Sequence, residues 1–419
     1  MKIRSTSGML SGLLEMVARA VSARSPIQLL SAILFEADED ANLLTMKATD
    51  MEISVSLTAD TPVEQGGRVA IPAKPLLQYA KSLPEGEAEL ETDESGRGAT
   101  LSSGGSSVYL NCYAPDDFPT LPVFPESSGG EEADSDAPEA AAFSVDAAAF
   151  SEAASKVLQF ASKDEGRPVL TGVLVAFSEG SATLAATDSY RLGLNRQKLD
   201  GAVEGTPTAI LPARALKEAV RLASLAGEDG RIEVAVTENQ AMFRAGEAGL
   251  TLATRLIDGN YPEYGRLLPH GFEETFSVKR DDLLTAIGRA RIVAGKQTPP
   301  PPLKLAFSHE EGTLGGGEVA ISLAADTGAA TEVLSADVPE GKTFDICFNP
   351  HYLAEAVSSI SDDTVALRLN EPLKPAVLRP AAELAAEATN GSAGADPEGS
   401  PHGYLHLIMP MRDQSQNGS

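Results

Sequence analysis

Three aspartates would be the obvious place to look for chemistry. Asp50, Asp188 and Asp326 recur at a constant step of 138 residues, and three gathered carboxylates suffice for acid–base work or for a hard divalent cation. Their surroundings point elsewhere. Each interrupts a run of strand-forming residues, in LLTMKATDMEISVSL, TLAATDSYRLGLN and VAISLAADTGAATEVL. An Asp there bonds to nearby backbone N–H groups and turns the chain. Equivalent positions of separate repeats should also lie far apart. The histidines (His270, His309, His351, His402 and His406) show no ligand spacing. Cys112 and Cys347 fall in different apolar runs, read as free thiols and too few for a disulfide framework or metal site. GxxxxGK followed by Ser or Thr, GxGxxG after a strand, HExxH and GxSxG are all absent. No catalytic residue, metal or cofactor is expected, which argues against an enzyme. A hydrolase built on the Asp turns is the weakest reading, and loss of turnover in Asp188→Ala would be its signature.

The second chemistry within reach is neutralisation of phosphate. Helical spacing predicts six helices, at about 9–24, 74–83, 145–163, 213–224, 280–296 and 349–360. They contain thirteen basic and seven acidic residues, a balance of +6 in a chain of net charge −27. The acidity alone argues against nucleic acid; the helices reverse that locally. Either these are ordinary solvated helix faces, or they join into a basic track that meets phosphates without reading bases. Aromatic residues do not interleave with the track, so stacking on single strands is not expected.

Those helices belong to a unit that occurs three times. Phe35, Phe177 and Phe307 close an apolar strand; the aspartates mark the turn; Leu76, Leu216 and Leu353 mark a helix at steps of 140 and 137 residues. The order of helix, strands, helix, strands predicts an α+β fold with antiparallel sheets, three copies of one domain. The expected divisions are 1–125, an acidic linker at 126–141, 142–268, and 269–412 with a disordered hairpin loop at about 381–403; a polar tail, 413–419, follows. In the helix at about 9–24 of the first copy, Leu13, Leu14, Val17 and Val21 should form the apolar stripe; in the helix near 213, Leu216, Val220 and Leu222 should. The chain start lacks a signal-peptide pattern, and no run approaches a membrane span. A reducing, cytoplasmic setting is expected.

The stretches ATDSYRLGLN, RLIDGNYPEYGRLLP, FNPHYLAEAV, PLKPAVLRP and YLHLIMPMR, in that order, resemble the bacterial DNA polymerase III beta subunit family, the beta sliding clamps. The resemblance extends over about residues 1–412. It implies a head-to-tail homodimer closed into a ring, with helices lining the hole and sheets outside. The ring would encircle double-stranded DNA without sequence preference and act as a processivity factor. Carried over by motif, the DNA-facing residues are Arg24, Lys74, Arg167, Arg214 and Lys296. Val108 and Leu110 would meet Ile292 and Val293 across the dimer interface. A hydrophobic cleft would take short linear peptides from the replicative polymerase, the clamp loader and repair proteins. Its residues would be Leu170, Thr187, Ser189, Tyr190, Arg191, Leu192, Pro269, Asn349, Tyr352, Leu373, Pro375, Leu407, Ile408, Met409, Pro410, Met411 and Arg412. The 381–403 loop and the tail depart from the family pattern and lie near that cleft in sequence. QTPPPP at 297–302 departs from it next to the dimer contact. A peptide-binding scaffold of the same fold that no longer encircles DNA is the alternative. Retention on circular but not linear DNA separates the two.

Overall fold

The computed structural model describes residues 1–22, 25–125, 141–178, 181–198, 208–227, 230–245, 249–269, 271–310, 316–389 and 403–413. Arg24, His270, residues 126–140 of the expected linker, 390–402 of the expected loop and nearly all of the expected tail (414–419) lie outside them. Seven α-helices are described: α1 (Ser7–Val17), α2 (Ala73–Ser82), α3 (Ala147–Leu158), α4 (Ala213–Ala223), α5 (Arg280–Ala294), α6 (Pro350–Ser358) and α7 (Ala381–Thr389).

The repeat markers are core residues. Phe35, Phe177 and Phe307 are buried on their strands, and Leu76, Leu216 and Leu353 are buried on α2, α4 and α6. Local sequence sets the helix ends. The Thr6 hydroxyl caps α1 by accepting from Met9 N–H at 3.2 Å. Asn349 caps α6, accepting from His351 N–H at 2.9 Å, with Pro350 at the first helical position. Gly295, at φ 57°, closes α5 by donating its N–H to the Arg291 and Ile292 carbonyls, a left-handed turn that glycine enters without a Cβ penalty.

Three expectations need correction. First, α1 ends at Val17 and passes into a 3-10 turn, Ala18–Ala20; its stripe is Leu10, Leu14 and Val17, with Leu13 and Val21 only half-buried. The chain turns away there because Ser22 N–H bonds back to the Leu30 carbonyl. In α4 the buried face is Ala215, Leu216, Ala219, Leu222 and Ala223, with Val220 at its margin. Second, residues 381–389 are helix. AAELAAEAT is rich in helix formers, and Asp362 accepts from Ala382 N–H at 2.7 Å at its start. Third, the chain leaves and rejoins the sheet for this insertion away from the end of the last strand. Strands Ala376–Pro380 and Gly403–Ile408 pair with Ala376 opposite Ile408. The insertion therefore joins the pair at the Pro380 and Gly403 ends, roughly 15 Å along the strands from Ile408.

The chain folds as two compact units. The first comprises Met1–Ser151, Ser178–Gly180 and Leu199–Asp258; the second comprises Glu152–Phe177, Ser181–Lys198 and Gly259–Ser419. In the first, an eight-stranded sheet runs from Ala141–Asp146 through Leu250–Arg255 and Ile53–Asp60 to Gly67–Pro72. The Leu250–Arg255 strand of the second repeat pairs antiparallel with Ile53–Asp60 of the first, Leu252 opposite Val55. A five-stranded sheet ends on the edge strand Ser106–Asn111. In the second unit, Arg191–Lys198 of the second repeat pairs antiparallel with Gly403–Ile408 of the third, Leu192 opposite Leu407. Sheets continuous from repeat to repeat explain why the compact units cut across the second copy.

Two of the three Asp turns, at Asp50 and Asp188, are backbone devices as expected; Asp326 is not. Asp188 Oδ1 accepts from the N–H groups of Tyr190 (3.0 Å) and Arg191 (3.1 Å), and Asp50 Oδ1 from those of Glu52 (3.1 Å) and Ile53 (2.8 Å). Thr187 and Thr49 add equivalent bonds. Each hydroxyl accepts from the N–H two residues on and donates to the carbonyl four residues on. Ser189 and Met51 take the same left-handed conformation, φ 78° and 77°. Asp326 lies in the turn between strands Glu318–Ala325 and Gly328–Asp337, without such bonds among the described residues.

Candidate functional site

The second unit carries a cleft of about 820 Å³. Its floor is Leu192, Leu268 and Leu407, which belong to one apolar cluster with Leu194, Val377 and Leu405. Floor and core are continuous, so the cleft is pre-formed by the sheet. Its walls are apolar groups left in water: Tyr190 is 62% exposed, Leu267 50% and Met409 40%. Polar groups, among them Arg266, Glu273, Glu371 and Lys374, line it too. A second chamber of about 510 Å³ is lined by Leu373, Met411 and Arg412, with Lys304, Asp345 and Cys347. The segments 372–375 and 409–411 contribute to both chambers. Main-chain bonds hold the second of these: Met409 N–H donates to the Tyr190 carbonyl at 2.9 Å and Met411 N–H to the Cys347 carbonyl at 2.7 Å.

Of the seventeen cleft residues expected, Thr187, Ser189, Tyr190, Arg191, Leu192, Pro269, Pro375, Leu407 and Met409 line the larger chamber. Leu373, Met411 and Arg412 line the smaller. Leu170 and Ile408 are buried behind the surface, Asn349 caps α6, and Pro410 lies between the two anchored N–H groups. Tyr352 reaches the site indirectly: its ring stacks on Tyr190 at 6.4 Å between centroids. Arg266, Leu267, Phe272, Glu371 and Lys374 were not expected. The signal was there, since they flank Pro269 and Pro375 in sequence and Leu267 is a large, half-exposed apolar residue at the end of the 3-10 turn Tyr264–Leu267.

Arg191 ties the site together. It is 8% exposed, and its Nε donates to Asp188 Oδ2 at 2.9 Å. Nη1 pairs with Glu355 of α6, and Nη2 donates to the Gln159 carbonyl at 3.2 Å. The guanidinium lies over the Tyr352 ring at 4.3 Å and over Phe160 at 5.2 Å. Burial, with the Asp188 charge second, pushes the Tyr352 phenol above its ordinary value, so the ring is neutral at physiological pH.

The expected DNA-facing cations are surface groups. In the first unit Lys74 is exposed at the start of α2, and Arg214 is exposed in the first turn of α4, paired with Asp50. In the second unit Lys296 is exposed beyond the end of α5. Arg167 is also exposed there, and its Nη1 donates to Ser189 Oγ at 3.1 Å. The helical charge balance is smaller than expected. Arg19, Arg24, Lys163, Lys296 and Asp146 fall outside the α-helices, leaving nine basic and six acidic residues on α1 to α6. Several of the nine are paired, as in Arg221–Glu218 and Arg289–Glu332, whereas Lys74, Lys217 and Lys296 have no ion pair among the described residues. Val108 and Leu110 are half-buried on the edge strand Ser106–Asn111, and near the end of α5 Ile292 is 77% exposed beside half-buried Val293.

Three α+β repeats with an apolar cleft in the second unit have the architecture of the clamp type. Models of the N-terminal, central and C-terminal domains of the DNA polymerase III beta subunit match residues 1–122, 144–263 and 265–390; the chain belongs to that family. The beta sliding clamp of Synechococcus elongatus is 29% identical over 381 residues, covering 91% of this chain and 96% of its own. That of Streptomyces coelicolor is 28% identical, covering 98% and 99%. The Bacillus subtilis sliding clamp structure superposes with TM-score 0.81 at 24% identity, over 99% of both chains. The griselimycin-bound Pseudomonas aeruginosa clamp does so with TM-score 0.81 at 21% identity, over 99% of this chain and 100% of that one.

Proposed function

We propose that the chain is a DNA sliding clamp: a non-catalytic processivity factor that encircles duplex DNA and tethers the replicative polymerase and other partners. The observation that carries the docking role is the pre-formed cleft, whose two chambers collect twelve of the seventeen residues expected from the family motifs. Apolar walls that include two methionines adapt to different leucine or phenylalanine anchors. Each fully buried anchor contributes about 2 kcal/mol. Deletion of Pro410 with Met411→Ala shifts the Met411 N–H off the Cys347 carbonyl and opens the smaller chamber. Partner-peptide affinity, read by isothermal titration, is expected to fall below detection while light scattering still gives the two-subunit mass of a closed ring. Unchanged affinity would place the peptide elsewhere.

Lys74, Arg167, Arg214 and Lys296 meet phosphates as weak, sequence-blind contacts, so the ring holds DNA by topology and slides. Arg24 joins them by family motif. Lys74→Glu with Lys296→Glu is expected to shorten retention on nicked circular DNA several-fold, most clearly at low salt. Normal retention at every salt concentration would remove these cations from the DNA path. Ring closure uses the edge strand bearing Val108 and Leu110 against Ile292 and Val293 of a second copy. Light scattering is expected to give twice the 43.6 kDa chain mass. The work is done in the cytoplasm, where DNA is replicated; no described helix is long and apolar enough to cross a membrane.

A further inference from the structure

The first unit has an apolar cavity of its own, about 310 Å³, separate from the peptide cleft. It opens between α1, α4 and the paired strands Ile53–Asp60 and Leu250–Arg255. Met16, Val55, Leu222 and Leu252 supply apolar wall, and Arg19, Arg221 and Glu218 supply polar groups. A mostly apolar pocket of this size with a few convergent polar groups is the usual form of a small-molecule site.

The charges decide what fits. Glu218 is the only carboxylate among the lining residues, against two guanidiniums. It pairs with Arg221 through Oε1, and its Oε2 is 3.7 Å from Arg19 Nη1, beyond hydrogen-bond reach. The Arg19 guanidinium thus makes no hydrogen bond among the described residues, though it has five N–H donors to offer. The net balance is one positive charge at an apolar cavity. We propose that this cavity binds a small amphipathic anion, an aliphatic carboxylate whose chain lies among Met16, Val55, Leu222 and Leu252 and whose head bridges Arg19 and Arg221. Arg19 has only its long ion pair with Glu218, so a neutral head would leave the net positive charge uncompensated and a cationic one would add to it. The same helix, α4, carries Arg214 and Lys217, and Arg214 Nη2 donates to the Arg19 carbonyl at 3.5 Å. An occupant therefore changes the charge presented beside the cations assigned to DNA.

The methionines make a direct test possible, because Met16 lines this cavity while Met409 and Met411 line the peptide cleft. The full-length protein, labelled at its methionine methyl carbons, is titrated with decanoate and, separately, with decanamide. The expected result is a saturable shift of Met16, with Met409 and Met411 unmoved at the same concentrations. Decanamide is expected to bind at least about tenfold more weakly, since it lacks the charge-assisted bonds. Arg19→Gln with Arg221→Gln should weaken decanoate to a similar degree, its unperturbed Met46 and Met242 methyls reporting an intact fold. An unmoved Met16, parallel shifts at Met409 and Met411, or equal affinity for decanamide would each overturn the proposal.

Discussion

Replacing Arg191 with alanine is expected to destabilise the second unit by about 3 kcal/mol and to abolish peptide capture. The size follows from what is stranded. Asp188, little exposed at the base of the turn, loses its charged partner, and the Gln159 carbonyl loses a donor. Glu355 is half in water, so its share is small. The Tyr352 ring loses the guanidinium that packs on it, and through Tyr352 the wall residue Tyr190 loses its stacking partner. Arg191→Lys keeps the charge but not the fork that reaches Asp188, Glu355 and Gln159 together, and should recover less than half of the loss. Urea unfolding followed by hydrogen exchange in Arg191–Lys198 and in α6 reads stability locally, which matters in a chain of two units. An Arg191→Ala protein with parental protection and parental peptide affinity would deny the residue its linking role.

The second large effect runs against intuition. His406 is fully buried on the last strand, its ring 4.4 Å from that of Phe160, and neither ring nitrogen has a hydrogen-bond partner among the described residues. Burial, helped by the positive charge of Arg191, pulls its pKa down from 6.5 to about 3. The folded protein keeps the ring neutral while the unfolded chain takes up a proton below pH 6.5. Stability contributed by this site is therefore constant above about pH 6.5 and falls as pH drops toward 3, by several kcal/mol in all. His406→Leu removes both orphaned nitrogens and the titration. It is expected to match or exceed the parent in stability at pH 7, and its advantage should widen steadily from pH 6.5 to pH 4. The comparison cancels the carboxylates common to both proteins. A constant difference across that range would show that His406 does not carry the acid sensitivity.

The fold was legible where side chains repeat for a packing reason. Phe35, Phe177 and Phe307 had to be buried for three domains to have three cores, and so recur. The Asp turn was legible because Asp bonds locally, within four residues. Charge was harder to read. Helix ends depend on where the chain is pulled away, as at Ser22, and moving the ends of α1 and α5 took Arg19 and Lys296 off their helices. The α7 helix was hidden by its position between two strands and by the loop-like sequence after it. At the cleft the motifs named Leu192, Leu407 and Met409, which line it, and passed over Leu267 and Lys374, although both sit in motif stretches beside Pro269 and Pro375.

The paired turns at Asp50 and Asp188 bear on how such a molecule can change over evolutionary time. Both hold the strand that crosses to the next repeat by the same bond: Arg255 N–H to the Glu52 carbonyl at 3.0 Å, and Met409 N–H to the Tyr190 carbonyl at 2.9 Å. Yet the first junction has only a crevice of about 100 Å³, while the second has the cleft. Register aligns Ser54 and Ala253 of the first with Leu192 and Leu407 of the second, and Glu52 and Arg255 with Tyr190 and Met409. Triplication thus copied a main-chain scaffold whose side chains differ at these four aligned positions and at others beside them, such as Ile53 against Arg191. Each copy is a reserve: the same main-chain bond closes both junctions, while the side chains and the segment beside them, Pro119–Pro122 at the first, set whether a cleft is left open.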